Sequence, residues 1–207
     1  MEPVLDYRIF GVPERMEWIE RNKEILGLPP DRIILDPEHE GCLATARRAW
    51  SVPARGTHVV VLSDDVELCV GFTDYSTRIA RAHPDEIISL FPIQFSDRRS
   101  VSRYPRRSPY VETKSLSGAG IMMKAEYVEP CLAFWREERT GDDTNIQAWA
   151  KTQGIQILTT LPAILDHIGL VSVHDPTRTL GGTAFFDRHP GWANWDDPYV
   201  TPWTNVV

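Results

Sequence analysis

The chain is poor in cysteine: Cys42, Cys69 and Cys131 are the only three, far apart among 207 residues and odd in number. With no CxxC pair among them, they offer neither a disulfide framework nor a thiolate metal site, and suit a reducing compartment in which thiols simply pack. No basic stretch followed by an apolar run opens the sequence MEPVLDYRIF, so no signal peptide is expected. No apolar run approaches the roughly 20 residues that cross a bilayer. These absences predict a cytoplasmic protein without a membrane element. Internal repeats, low-complexity tracts and linkers are also missing, and nothing marks an obligate protein partner. An excess of basic charge is lacking too. The formal net charge of −7 excludes a protein that coats nucleic acid through its whole surface.

What is there is ordinary globular material, 42% hydrophobic and 25% charged. The length predicts a single domain. Residues 6–12 read as a short strand, 14–26 as a helix closed by Gly27 and Pro29-Pro30, 32–35 as a buried strand, and 41–50 as a helix. Residues 57–62, THVVVL, are β-branched and almost wholly apolar, as expected of a central parallel strand. Strand–helix alternation over the first 65 residues predicts an α/β fold with a parallel sheet and helical crossovers. Further on, helices are expected over 76–82, 126–138 (Pro130 in its first turn) and 143–153. Strands are expected over 87–93 and 155–160, with a glycine turn entering a strand over 117–123. Residues 98–110 read as an exposed loop. The tail from Gly181 carries Trp192, Trp195, Tyr199 and Trp203, either packing on the core or forming an apolar surface.

The 57–62 strand runs into Ser63-Asp64-Asp65. Ligand sites of open α/β sheets lie beyond the carboxyl ends of the strands. Adjacent carboxylates there repel unless a cation or solvent offsets them. Mg²⁺ or Mn²⁺ suits such oxygen ligands, taking one or two carboxylates and filling its other positions with phosphate and water. An ordinary strand-end turn explains the same residues.

THVVVLSDDVEL resembles the acidic metal-binding segment of GT-A glycosyltransferases, an apolar strand ending in a DxD-type motif. Ser63 stands where many relatives carry an acid. Three further stretches are similar to that family in order, so the resemblance spans roughly residues 6–175. Gly11, Arg15 and Asp36 resemble the nucleotide-binding edge. Ser117-Gly118-Ala119-Gly120 resembles the glycine turn lining the sugar pocket. Thr140-Gly141-Asp142-Asp143-Thr144-Asn145 resembles the acidic motif heading the acceptor-side helix. The resemblance implies a Rossmann-like GT-A fold with a mixed, mainly parallel sheet flanked by helices. Its donor-binding half would be about 1–95 and its acceptor side about 96–207.

It further implies an enzyme that moves a sugar from a nucleotide-sugar donor, a UDP-sugar foremost, to a hydroxyl acceptor. Asp65 would hold the metal, and His167 in LDHIG would be a second ligand better suited to Mn²⁺ than Mg²⁺; a packed histidine is the alternative. Gly11, Arg15, Asp36, Arg48, Asp64, Gly118 and Gly120 would bind the donor, with Arg15 and Arg48 facing the diphosphate. Solvated helix-face arginines explain those two equally well. Asp143 would be the general base of an inverting transfer, with Asp142 as runner-up, although Asp143 also suits a plain helix N-cap.

For the acceptor, the informative segment is RRSVSRYPRR. Arg98, Arg99, Arg103, Arg106 and Arg107 are its five arginines, and it has no acid; elsewhere 17 basic residues face 29 acidic ones, a net −12. Arginines around Tyr104 and followed by Tyr110 suit phosphate contacts with base stacking. DNA carrying hydroxymethylated pyrimidines is therefore the expected acceptor, as for small virus-encoded DNA-modifying glycosyltransferases. A glycan or lipid-linked saccharide, a solvated loop, and a sugar-nucleotide-binding protein without transfer activity are the other readings.

Overall fold

Strand β3 (His58–Ser63) lies at the heart of the molecule, with Val59, Val60, Val61 and Leu62 at most 1% exposed. The structure, a computed structural model, describes residues 2–91, 110–113, 116–160 and 163–167. Along β3, side chains alternate between faces. Val60 and Leu62 join Ile9, Ile19, Phe72 and Ile79 on one side, while Val59 and Val61 join Ala46, Trp50, Ile146 and Trp149 on the other. Each such aliphatic side chain contributes roughly 1.5–3 kcal/mol relative to exposure, which makes β3 the spine of a three-layer α/β/α arrangement.

The chain enters with β1 (Leu5–Gly11), a short turn Pro13–Arg15, α1 (Met16–Leu26), β2 (Ile33–Leu35) and α2 (Cys42–Ser51) before β3. After β3 come β4 (Val66–Leu68), α3 (Phe72–Ala82), β5 (Ile87–Ser89), β6 (Tyr110–Thr113), β7 (Gly120–Lys124), α4 (Ala125–Phe134), α5 (Asp142–Gln153), β8 (Ile157–Thr160) and β9 (Leu165–His167). The described strands form a seven-stranded sheet in the order β2-β1-β3-β7-β5-β8-β6, plus a β4-β9 pair. β1 pairs in parallel with β2 and β3, and β5 with β8. β7 runs antiparallel between β3 and β5, and β6 runs antiparallel to β8. Five of the seven strands thus point one way, the mixed, mainly parallel sheet that was expected. β3, expected to be flanked by parallel neighbours, has a parallel one only on the β1 side.

Several boundaries differ from the sequence reading. Helix α3 starts four residues earlier than expected, because Gly71 takes a positive φ of 76° and Phe72 is buried. β5 stops at Ser89, whose hydroxyl donates to Phe91 O and accepts the Ser117 N–H, diverting the ladder. Helix α4 ends at Phe134 rather than 138, since Asn145 holds both the N–H and the C=O of Arg136. Pro130 lies inside that helix rather than in its first turn. β6 begins at Tyr110, within the segment read as a loop, and β4 was not anticipated.

Strand β1 also carries a buried ionic cluster. Asp6 lies between two guanidiniums, Arg8 Nη2 at 2.7 Å and Arg32 Nε at 2.8 Å. Arg8 Nη1 donates onward to Ala49 O (2.8 Å) and Trp50 O (3.0 Å), the carbonyl end of α2, where a cation is favoured. Burial lowers the Arg8 pKa, with Asp6 working against it. Two buried cations on one carboxylate are tolerable because the α2 carbonyls share the charge, and the cluster fixes how α2 lies along β1. Losing one partner of such a set typically costs about 3–5 kcal/mol.

Candidate active site

The carboxyl ends of β1 and β3 meet at Gly11 and Asp64. A Cβ on Gly11 would fall 2.2 Å from both Cβ and Oδ2 of Asp64. Only glycine leaves room for this aspartate, whose Oδ2 then accepts the Val12 N–H at 2.8 Å. Arg15, at the end of the Pro13–Arg15 turn, reaches across: its Nη1 donates to Asp64 Oδ1 (2.7 Å) and to Asp65 Oδ2 (2.9 Å). The expected neighbours Gly11, Arg15, Asp64 and Asp65 are therefore one unit.

Asp65 is enclosed. Ser63 Oγ donates to its Oδ1 at 2.7 Å, and His167 Nε2 lies 3.2 Å from its Oδ2. His167 arrives there through the β4-β9 pairing, in which it is the register partner of Val66, the residue after Asp65. Burial would raise the Asp65 pKa, but the His167 hydrogen bond and charge, then Ser63 and Arg15, hold it down to about 2. Burial would lower His167; Asp65 raises it instead. Asp64, by contrast, is raised by burial, with Arg15 working against it.

The second acidic pair heads α5. Asp142 is 2% exposed; its Oδ2 accepts Trp50 Nε1–H (3.0 Å) and its Oδ1 the Asp143 N–H (2.9 Å). Burial pushes it up to about 6, against the pull of the Trp50 hydrogen bond. Asp142 is thus enclosed and held by Trp50 and its own helix N-terminus. Asp143 is half-buried, with Oδ1 accepting the Thr144 N–H at 2.7 Å. Burial raises its pKa, opposed by the N–H groups of Thr144 and Gly118. The helix N-cap is Gly141, not Asp143. A Cβ at Gly141 would approach Asp143 Oδ1 to 2.5 Å, so this glycine makes room for the carboxylate.

The glycine turn ties the two pairs together. The Ser63 N–H donates to Ala119 O at 3.1 Å, while the Gly118 N–H serves Asp143. Gly118 also lies against Asp142, whose Oδ1 a Cβ there would meet at 3.2 Å. At Gly120 the missing side chain leaves space for Leu165, Leu62 and Leu90 of the core. Cys42 begins α2; desolvation, then the charges of Asp142, Asp143, Asp65 and Asp64, push its thiol up to about 12.

Two expected donor residues are engaged elsewhere. Asp36 is 1% exposed and accepts the N–H groups of Glu40 and Gly41, both at 3.0 Å. Burial opposes its ionisation, but those N–H groups, Thr45 and Arg48 keep its pKa below the usual range. Arg48 pairs with Glu40 and donates to Leu35 O at 3.2 Å. Both close the β2–α2 loop. Arg98, Arg99, Arg103, Arg106 and Arg107 lie outside the described residues, as does the tryptophan-bearing tail.

Among the described residues no group of three or more His, Cys, Asp or Glu is placed to hold a metal ion. Asp65 and His167, which form an ion pair, are the residues that would offer such an ion two positions. Neighbouring positions of an octahedral ion with bonds of 2.0–2.1 Å are about 3 Å apart, and His167 Nε2 and Asp65 Oδ2 lie 3.2 Å apart. The pair fits a divalent ion that completes its shell with phosphate and water.

No protein-family model matches the chain, and no curated protein matches it in sequence. Its fold does match solved structures. One is the mannosyltransferase PcManGT from Pyrobaculum calidifontis in complex with GDP-Man and Mn²⁺, aligned over 100% of this chain and 74% of that one, with a TM-score of 0.51 and 11% identity. The likeness is one of fold. It agrees with the Rossmann-like α/β architecture expected from the THVVVLSDDVEL segment. Among the described residues no helix is long and apolar enough to cross a membrane. Ser63 was read as the residue opening the acidic motif but not as a hydrogen-bond donor to Asp65, and nothing in the local sequence of Trp50 points to its contact with Asp142.

Proposed function

We propose that this chain is a glycosyltransferase that moves a sugar from a nucleotide-sugar donor to a hydroxyl acceptor, using Mn²⁺ or Mg²⁺ held by Asp65 and His167. The observation that carries it is geometric: the acidic turn after β3 and the acidic head of α5 are joined by one glycine turn, in which Ala119 O accepts the Ser63 N–H at 3.1 Å and the Gly118 N–H serves Asp143. Asp65 and His167, 3.2 Å apart, would hold the cation and the half-buried Asp143 would take the proton. The fold likeness to a mannosyltransferase bound to GDP-Man and Mn²⁺ supports the same reading.

In this reading Asp143 takes the proton of the acceptor hydroxyl as its oxygen attacks the anomeric carbon. The bond to the nucleoside diphosphate breaks on the opposite side, so configuration inverts. When bound, the ion offsets charge on the departing diphosphate. Arg15 adds a guanidinium suited to phosphate oxygens, and the Ser117–Gly120 turn borders the sugar. The acceptor we propose is a hydroxymethylated pyrimidine in DNA, on the strength of the charge segregation: five arginines in 98–107 on an otherwise acidic chain. An extruded or unpaired base would be needed.

The test incubates protein with GDP- and UDP-sugars, Mn²⁺ or chelator, and either hydroxymethylated DNA or simple saccharides, followed by mass analysis of nucleosides and glycans. A metal-dependent sugar adduct on the modified base is expected. Transfer to saccharides alone would move the acceptor to the glycan class, and donor binding without any transfer would make the chain a binding protein. Full activity in excess chelator would sink the metal assignment.

A further inference from the structure

We propose, building on the nucleotide-sugar reading above, that Arg15 is the resident counter-cation of the acidic pair, and that a divalent ion takes Asp65 only as a donor diphosphate draws Arg15 away. The geometry separates the two aspartates. Both oxygens of Asp64 are occupied, Oδ2 by the Val12 N–H at 2.8 Å and Oδ1 by Arg15 Nη1 at 2.7 Å. The absent side chain at Gly11 leaves only the space that Asp64 already fills. Asp64 is therefore an anchor for Arg15 rather than a metal ligand. On Asp65, Oδ1 accepts the Ser63 hydroxyl, which leaves Oδ2, and that oxygen is shared by Arg15 at 2.9 Å and His167 at 3.2 Å.

An ion between Asp65 Oδ2 and His167 Nε2 would meet the Arg15 cation at the same oxygen. Like charges cannot share it without cost, so Arg15 must leave or the ion binds weakly. Arg15 can leave. Its side chain is 12% exposed and stands where the Pro13–Arg15 turn meets α1; the motion the proposal requires is a rotation of that side chain toward the diphosphate. A diphosphate offers the guanidinium the same two-oxygen, doubly anionic partner that the aspartates provide. Metal and donor are then thermodynamically coupled through one side chain, and the coupling is reciprocal. It also keeps the buried carboxylates neutralised when no donor is present.

The experiment titrates Mn²⁺, read from the free-ion EPR signal, into wild type, Arg15→Gln, Arg15→Lys and Asp65→Asn, without nucleotide and with GDP or UDP. In the absence of nucleotide, Arg15→Gln should bind Mn²⁺ more tightly than wild type by on the order of tenfold. Arg15→Lys, which keeps a cation, should stay near wild type. GDP or UDP should tighten Mn²⁺ binding in wild type and much less in Arg15→Gln. Melting curves guard against a folding defect: Mn²⁺ should raise the Tm of Arg15→Gln more than that of wild type. Arg15→Gln binding Mn²⁺ no more tightly than wild type, while Asp65→Asn loses it, overturns the counter-cation role and leaves the metal site standing. Undiminished binding by Asp65→Asn overturns the metal assignment itself.

Discussion

Trp50 Nε1 donates to Asp142 Oδ2 at 3.0 Å across 92 residues of sequence, so the last turn of α2 holds the carboxylate that heads α5. Because Asp142 in turn accepts the Asp143 N–H at 2.9 Å, the indole sets the position of the half-buried aspartate beside it. The energetic cost is real. Raising a carboxyl from 3.8 to about 6 disfavours the folded state by about 3 kcal/mol at neutral pH.

Removing the indole donor makes that cost larger. Trp50→Phe keeps most of the packing but leaves buried Asp142 with one acceptor unmet, an expected loss of about 1–3 kcal/mol. The sign with pH follows from linkage. The folded pKa of Asp142 lies above its unfolded value, so its favourable contribution is present below 3.8 and lost as pH rises through about 6. The Trp50→Phe deficit should therefore be larger at pH 8 than at pH 4.5 in urea unfolding. Equal deficits at both would show that Trp50 acts only by packing.

His58 works in the opposite sense at the other end of β3. It is 4% exposed, with Nδ1 3.0 Å from the Thr57 hydroxyl and Nε2 3.1 Å from Pro84 O, an arrangement that suits the neutral ring. Burial lowers its pKa from 6.5, opposed by the Pro84 hydrogen bond. A lowered folded pKa means stability is fully present above 6.5 and declines as pH falls below it, where the unfolded chain binds the extra proton. His58→Gln should flatten that part of the stability–pH curve relative to wild type. An unchanged slope between pH 5 and 7 would exclude His58 as its source.

Glycine at position 11 is required by contact, not by backbone angle. Its hypothetical Cβ would overlap Asp64 Cβ and Oδ2 at 2.2 Å. Gly11→Ala is expected to push Asp64 off the Val12 N–H and loosen Arg15, costing about 1–3 kcal/mol in stability. Donor affinity should fall with it, measured by calorimetry with GDP or UDP. Wild-type stability and affinity in the alanine variant would refute the packing account.

The contrast between β3 and the β4-β9 pair shows what could be read from sequence. THVVVL is long, branched and apolar, so strand, burial and the acidic turn after it were all legible. Val66–Leu68 and Leu165–His167 are three residues each, too short for any period, and only their mutual pairing makes them strands. His167 lies 3.2 Å from Asp65, a neighbour that the family resemblance suggested and no local pattern announces. The partners of Asp36 and Arg48 within the β2–α2 loop were not legible, because loop chemistry at a strand end looks the same whether it binds phosphate or closes its own turn. Arg8 was passed over altogether: a charge in a strand reads as a solvent-facing position unless the carbonyls of Ala49 and Trp50 are known to lie opposite.

Asp143 is the residue on which the proposed chemistry turns. Its carboxylate has the placement a base needs, fixed by the Thr144 N–H at 2.7 Å and by Gly118, and rigid on the first turn of α5. Burial raises its pKa, opposed by the N–H groups of Thr144 and Gly118, and a raised carboxyl is the stronger proton acceptor once ionised. Asp143→Asn preserves an acceptor for the Thr144 N–H but cannot take a proton. Turnover should drop by on the order of 10²–10⁴-fold with GDP or UDP affinity unchanged, because the nucleotide meets Arg15 and Asp65 on other elements. Asp142→Asn offers the internal control. Asp142 is 2% exposed and held by Trp50, so under the proposal its effect on turnover should be the smaller of the two and should track the stability change of Trp50→Phe. If Asp142→Asn is inactive while Asp143→Asn stays within a few-fold of wild type, proton transfer does not run through Asp143.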